Sequence, residues 1–187
     1  MTTTKKKPIE QLAPNAFQHE ILALASKQRS SAKKVEVLEK YRNDGLVTIL
    51  IMNFDETVIS ILPPGEVPLD FDDTDGTGGN TTDLINSKAR NSGSKAGYYG
   101  AGDFMEDRSK TSIRNECKTF YNFVQGGNGR ISQLKKESMF INLLRGLHPL
   151  EAELMCLVKD KNLTNKYKIT KDIVSKAYPD ITWGGRS

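Results

Sequence analysis

The sequence has no long apolar run and few of the residue types that build catalytic or metal sites. It has 187 residues, 37% of them hydrophobic, with only two histidines, two cysteines and one tryptophan. No apolar stretch approaches the roughly 20 residues that span a bilayer, so we expect no membrane partner. The basic residues at the N-terminus are not followed by an apolar segment, so we also expect no secretory signal. These absences predict a cytoplasmic protein.

The few histidines and cysteines do not have the spacing of a metal site. Cys117, Cys156, His19 and His148 lack the paired short spacings that zinc sites use. Both cysteines fall on apolar helical faces, which favours buried, reduced thiols. His148 precedes Pro149 and is predicted to cap or flank the following helix. We expect no metal and no cofactor.

Acidic and glycine-rich stretches resemble enzyme or ion-binding motifs, but their surroundings do not support that interpretation. Residues 70–74 match the D-x-D-x-T pattern of aspartyl-nucleophile phosphatases, yet prolines precede them where a buried strand is required. A calcium loop would need acids where Phe71 and Thr82 stand. The glycines within 76–79 and 126–129 lack the Lys-Ser/Thr of a phosphate-binding loop. We therefore expect no enzyme activity and no catalytic residue.

Apolar periodicity predicts a mostly all-α fold, organised around a helical hairpin at residues 131–161. Apolar residues recur at helical spacing along two segments that meet at Gly146 and Pro149. We expect this hairpin to have a structural rather than a catalytic role in a compact helical domain. The residues expected to form the apolar stripes of this hairpin are Leu134, Phe140, Ile141, Leu143, Leu144, Leu147, Leu150, Leu154, Leu157 and Val158.

Further helices are predicted on either side of the hairpin. One extends over SAKKVEVLEKYRND, with Ser30 or Ser31 as its cap and Gly45 as its end. A short helix begins after Thr170 and stops at Pro179. Another helix follows residue 110, and its apolar face is expected to contain Ile113, Cys117, Phe120, Tyr121 and Val124.

Two segments interrupt this helical pattern. Residues 46–62 are dense in β-branched residues and fit either a short β-hairpin or a buried helix followed by a turn. Residues 65–110 are rich in Gly, Ser, Thr, Asn and Asp, which predicts a long, mobile, acidic loop. The predicted organisation is then a flexible tail, one domain in two parts around this loop, and a second tail. Its boundaries are 1–14, 15–64, 65–110, 111–180 and 181–187.

Charge is distributed unevenly, and this is the main functional signal. Residues 46–107 carry three basic and eleven acidic side chains, whereas residues 108–176 carry fourteen basic and six acidic ones. A basic surface neutralises phosphates, and Tyr167 and Tyr178 lie among these lysines as possible stacking partners for bases. An ordinary solvated helix surface is the alternative. The candidate nucleic-acid-binding residues are Lys135, Lys136, Lys159, Lys161, Lys166, Lys168 and Lys171.

Several stretches of the chain carry a resemblance to a known family. They are FYNFVQGGN, LKKESMFINLLRGLHPLEAELMCLVKDKNL, KYKIT and AYPDITWGGRS, with NFDETVISILPPG in the N-terminal half. Over these stretches, about half of the chain, the sequence resembles small proteins of tailed bacteriophages, of the marine and cyanobacterial myovirus type, whose function is unassigned. The resemblance implies a phage protein with a mostly helical fold and favours helix for residues 46–54. It supplies no catalytic residue, and the Gly/Asp-rich insertion departs from the family's more compact pattern.

Composition, charge and resemblance together define an expected function. We expect a non-enzymatic phage accessory protein in the host cytoplasm that acts as a binding or adaptor module. Its partner would be nucleic acid or a phage or host protein complex that processes nucleic acid. The alternative is a virion structural or assembly protein, whose basic and apolar faces pack against other subunits. The sequence leaves the oligomeric state open.

Overall fold

The computed structural model describes residues 11–69, 79–80 and 110–186, and within them the protein is mostly α-helical, as predicted. A 3-10 helix, Cys117–Phe123, directly follows the short α-helix Ile113–Glu116. A short antiparallel pair joins β1 (Pro68–Leu69) to β2 (Gly79–Asn80). In chain order the α-helices are α1 (Gln18–Lys27), α2 (Ser31–Lys40), α3 (Asp44–Phe54), α4 (Ile113–Glu116), α5 (Gln133–Gly146), α6 (Pro149–Lys159), α7 (Leu163–Tyr167) and α8 (Lys171–Ala177).

Helices α5 and α6 form the predicted central hairpin. The Ser132 hydroxyl caps α5 by accepting the N–H of Lys135 at 3.4 Å, and Pro149 occupies the first turn of α6. Only residues 147 and 148 lie between the two helices. Helix α6 packs against α1, α3, α5 and α7, and Leu144 and Leu154 are fully buried. The hairpin therefore supplies the centre of the core.

The remaining helices close the core from both ends of the sequence. Helix α2 packs against α1 and α8, while α3 packs against α4, α6 and the 3-10 helix. The hydroxyl of Tyr178 donates to the carbonyl oxygen of Leu38 at 2.6 Å, and both side chains are fully buried. One apolar cluster thus includes residues from both sides of the predicted loop.

Residues 46–54 belong to helix α3, so the alternative of a β-hairpin at 46–62 is wrong. The Asn43 side chain caps this helix by accepting the N–H of Leu46 at 3.0 Å. After the helix, the chain pairs with a distant segment instead of folding back on itself. The N–H of Ile61 donates to the carbonyl oxygen of Phe123 at 3.0 Å, and residue 60 forms an isolated bridge with Val124.

Gly45 lies inside α3. The prediction that it ends the preceding helix is therefore wrong. Helix α2 ends at Lys40, and its Ser30 cap accepts the N–H of Lys33 at 3.3 Å, as predicted. A Cβ added at Gly45 would lie 2.9 Å from the Cα of Arg114. The glycine is therefore present because α3 and α4 approach each other closely.

The predicted face of the helix after residue 110 is partly wrong, because most of this segment forms a 3-10 helix. A 3-10 helix has three residues per turn, so residues three apart share a face. Cys117, Phe120 and Phe123 are accordingly buried, whereas Tyr121 is 55% exposed. Leu134, expected in the core, is also exposed at 75%, because it lies in the first turn of α5.

Parts of the predicted organisation lie outside the described residues. These are the first ten residues of the predicted tail at 1–14 and most of the predicted mobile loop at 65–110, namely 70–78 and 81–109. Among the residues that are described, no helix is both long and apolar enough to cross a bilayer.

Candidate nucleic-acid interface

Helix α2 and the distant α7–α8 segment bring lysines onto one surface. Helix α2 packs against α8, and the Nζ of Lys34 donates to the carbonyl oxygen of Lys168 at 2.6 Å. Lys168 ends α7 in the left-handed conformation, with φ of 51°, and Lys171 begins α8 shortly after it. We call Lys34, Lys166, Lys168 and Lys171 the basic face. Sequence reasoning did not include Lys34 in the site.

Two lysines of the basic face have side-chain partners. The ammonium of Lys166 pairs with the Glu153 carboxylate at 2.5 Å, and both side chains are partly exposed. The Nζ of Lys171 lies 5.3 Å from the centroid of the Trp183 ring, within the range of a cation–π contact. Such exposed contacts are worth little, about 0–1 kcal/mol, so a phosphate can compete for these ammonium groups.

Lys159 does not lie on a surface that a phosphate can reach, contrary to the expectation from sequence. It is only 6% exposed, and its Nζ donates to the carbonyl oxygens of Pro63 and Gly65 at 2.7 and 3.0 Å. The carboxylate of Asp160 accepts a further hydrogen bond from it at 2.6 Å. Through these hydrogen bonds the Lys159 ammonium connects the segment after α3 to the end of α6. We exclude it from the basic face.

Lys135 and Lys136 lie in the first turn of α5, away from the other candidates along the fold. Helix α5 packs chiefly against α6 and the 3-10 helix, whereas the basic face is built on α2, α7 and α8. Their exposed neighbour Leu134 gives this end of α5 a mixed apolar and basic surface. The structure thus divides the predicted lysines between different elements.

Tyr167 and Tyr178 are not accessible for base stacking, so this part of the predicted site is wrong. Tyr167 is 4% exposed and Tyr178 is fully buried. Burial raises the pKa of both phenols. Near the basic face, Trp183 is an aromatic side chain that keeps part of its surface open while packing against the core.

The buried carboxylate of Asp55 binds the C-terminal segment. It accepts the N–H of Gly184 at 3.0 Å and pairs with the guanidinium of Arg186. Thr57 donates to it through its N–H at 3.0 Å and its hydroxyl at 2.7 Å, while the Nζ of Lys161 donates to the Asp55 carbonyl oxygen at 2.7 Å. Burial raises the pKa of Asp55, but the bonds from Gly184, Thr57 and Arg186 outweigh burial and hold it well below its usual range.

Residues 181–186 are therefore not a loose tail. Gly184 and Gly185 have φ angles of +90° and +72°, a conformation that side chains rarely adopt, and this lets the chain turn onto Asp55. The N–H of Arg186 also donates to the hydroxyl of Thr57 at 3.3 Å. The two partners lie within NFDET and TWGGRS, both inside stretches that carry the family resemblance. The presence of both NFDET and TWGGRS in the sequence was a signal of this contact, and sequence reasoning did not use it.

A second buried carboxyl, Glu151, joins three helices. One oxygen accepts the N–H of Gln18 at 3.0 Å, and the other accepts the N–H of Ile113 at 2.9 Å. These residues begin α1 and α4, and Glu151 itself lies in the first turn of α6. Burial raises its pKa to about 7, although the two N–H groups and Arg114 lower it in part. Periodicity could not reveal this role, because both partners are distant in sequence.

The two histidines stack beside this junction. Their ring centroids are 4.8 Å apart, and Phe17 lies 5.6 Å from His19 and 5.2 Å from His148. The Nδ1 of His148 accepts the N–H of Leu150 at 3.1 Å, so the predicted cap is confirmed. Burial, with smaller effects from His148 and Lys166, lowers the pKa of His19 to about 3.

The other side-chain clusters and the cleft among the described residues do not form a second candidate binding site. Within those residues, no group of three or more His, Cys, Asp or Glu side chains is placed to hold a metal ion. A cleft of about 320 Å³ has cations on its wall, each with a partner: Lys40 lies over Tyr41, Arg42 pairs with Asp180, and Arg114 donates to a carbonyl. Its lining residues are Gln11, Leu12, Pro14, Lys40, Tyr41, Arg42 and Arg114.

The fold and this surface define a mostly helical protein with a basic face. Comparison with protein families matches the chain, in two segments, to a family of unknown function (DUF6433), over residues 21–91 and 95–165. These segments cover well over half of the sequence. The chain therefore belongs to the DUF6433 family. Neither curated proteins nor solved structures give a match.

Proposed function

We propose that this protein is a non-enzymatic binding or adaptor protein that holds nucleic acid, alone or within a nucleic-acid-processing machine, on its basic face. The observation that carries this proposal is the contact between Lys34 and Lys168, which joins α2 and the α7–α8 segment into one cationic surface. Phosphate groups attract such surfaces and release counterions on binding. The resemblance to proteins of tailed bacteriophages supports a role in an infected host cell.

Removing the charge of the basic face tests this proposal. We expect the triple variant Lys34→Gln, Lys168→Gln, Lys171→Gln to bind a single-stranded oligonucleotide about a hundredfold less tightly at about 0.1 M salt, if each lysine meets one phosphate. Fluorescence anisotropy with a labelled oligonucleotide gives the affinity. Because Lys34 also bonds to a carbonyl, the unfolding curve of the variant has to be recorded beside it.

A matched triple variant controls for total charge. Lys118, Lys135 and Lys136 lie on the 3-10 helix and α5, and their replacement with glutamine removes the same charge from other elements. We expect this variant to keep most of the affinity. Equal losses in both variants would contradict a binding site on the basic face, and absence of binding by the unaltered protein would refute the proposal.

A second function is favoured by exposed apolar side chains at another part of the molecule. Ile59, Tyr121 and Leu134 are 49%, 55% and 75% exposed. The segment at 59–61 pairs with 123–125, and the Gln133 side chain donates to the Ile61 carbonyl oxygen at 2.8 Å. Contiguous exposed apolar patches mark protein contacts, and these three residues lie on segments that contact one another. They favour a virion structural or assembly protein, and mass spectrometry of purified particles would detect stoichiometric incorporation.

A further inference from the structure

We infer that the basic face takes single-stranded rather than double-stranded nucleic acid, with Trp183 as the surface on which a base stacks. This inference rests on the proposed function and names the ligand class of the same site. Trp183 is the only tryptophan, packs against the core and remains partly exposed. The Lys171 ammonium lies 5.3 Å from its ring centroid, so a cation and an aromatic ring occupy adjacent positions.

The chemistry of this pair matches a single strand. Stacking on an aromatic side chain requires an open face of a base, and bases inside a duplex are already stacked on their neighbours. When a base stacks on Trp183, the Lys171 ammonium moves from the ring to the adjoining phosphate. The buried tyrosines Tyr167 and Tyr178 cannot provide an equivalent surface. The ring of Trp183 therefore distinguishes the two kinds of strand.

The position of Trp183 depends on the contact between Asp55 and the C-terminal segment. Gly184 directly follows the tryptophan, and its N–H is bonded to the Asp55 carboxylate. Arg186 pairs with the same carboxylate, and its N–H donates to Thr57. Asp55 is thus a positioning residue, because it fixes the backbone next to the ring without itself facing the basic face.

Fluorescence of the full chain tests the inference directly, since all tryptophan emission comes from Trp183. The probes are an oligothymidylate of about 15 nucleotides and a duplex of equal length. We expect the single strand to quench the emission and to bind more tightly than the duplex. Trp183→Ala should weaken single-strand binding roughly tenfold to a hundredfold and leave duplex binding unchanged. Trp183→Phe, which keeps an aromatic ring, should retain most of the affinity.

The positioning role has its own readout. Arg186→Gln should lower the ratio of single-strand to duplex affinity, whereas Arg186→Lys, which keeps the charge beside Asp55, should restore it. If Arg186 contributed only its charge, its replacement by glutamine would lower the single-strand and duplex affinities together. Asp55→Asn should act like Arg186→Gln. It alters a buried position, so if the Asp55→Asn protein does not fold, the two Arg186 variants decide the question.

Each outcome separates this inference from the proposed function. Equal affinity for both strands with unchanged emission would overturn the inference and leave the proposed function standing. Retention of the single-strand preference in Trp183→Ala would also overturn it. If neither nucleic acid binds at low salt, the proposed function fails and the inference fails with it.

Discussion

Replacing Glu151 with glutamine tests whether the buried carboxyl at the helix junction holds a proton in the folded protein near neutral pH. Its pKa is raised from 4.5 in the absence of the fold to about 7 within it. A raised pKa means that the folded state binds the proton more tightly than the unfolded chain. The corresponding stability is complete below about pH 4.5 and is lost as the pH rises through about 7. Glutamine, like the protonated side chain, carries no charge, and it does not titrate.

The expected magnitude follows from the size of this shift. Each pKa unit corresponds to about 1.4 kcal/mol, so Glu151 contributes roughly 3 kcal/mol of pH-dependent stability. The free energy of unfolding of the natural protein minus that of Glu151→Gln should therefore fall by about this amount between pH 5 and pH 8. His19, which stays neutral when folded and opposes this trend below pH 6.5, is present in both proteins and cancels.

Urea unfolding at the two pH values measures this difference. Glu153→Gln is the matched control, because Glu153 lies on the same helix with its carboxylate partly exposed. Subtracting the pH trend of this control leaves the part of the trend that belongs to the buried position. A Glu151 difference that stays constant or grows with pH would refute the reasoning. It would mean that the N–H groups of Gln18 and Ile113 outweigh burial and keep the carboxylate charged.

Other predictions concern packing. Leu144→Ala or Leu154→Ala should lower the free energy of unfolding in urea by roughly 2–5 kcal/mol. Leu134→Ala should lower it little, because that side chain is 75% exposed. Similar losses at all three positions would contradict the assigned core. Gly127→Ala should destabilise the protein by about 1–3 kcal/mol or more, since the new methyl group would overlap the Tyr121 carbonyl oxygen; an unchanged thermal midpoint would place this turn differently.

The helices of the hairpin were predictable because their positions follow from local periodicity. Leu144 and Leu154 repeat at helical spacing, and Pro149 marks the start of α6. The same reasoning failed at Tyr121, because a 3-10 helix changes the residues that share a face. It also failed at Leu134, since the first turn of α5 lies at the edge of the core.

The candidate site was predictable only in part, because its geometry depends on contacts between distant segments. Sequence composition located the cationic third of the chain, but it could not show that Lys159 is buried or that Lys34 joins Lys168. The contact between Asp55 and Arg186 spans most of the chain and leaves no local periodic signal. Tertiary packing, not residue type, decides which charges remain on the surface.

The central claim, that the basic face binds nucleic acid through its phosphates, is tested most directly by salt dependence. The affinity of the unaltered protein for a single-stranded oligonucleotide is measured by anisotropy across a series of salt concentrations. Contacts with four phosphates predict a slope of about −3 in a plot of log affinity against log salt. The variant lacking Lys34, Lys168 and Lys171 should give a slope closer to −1. A slope near zero, or no binding at the lowest salt, would contradict the claim.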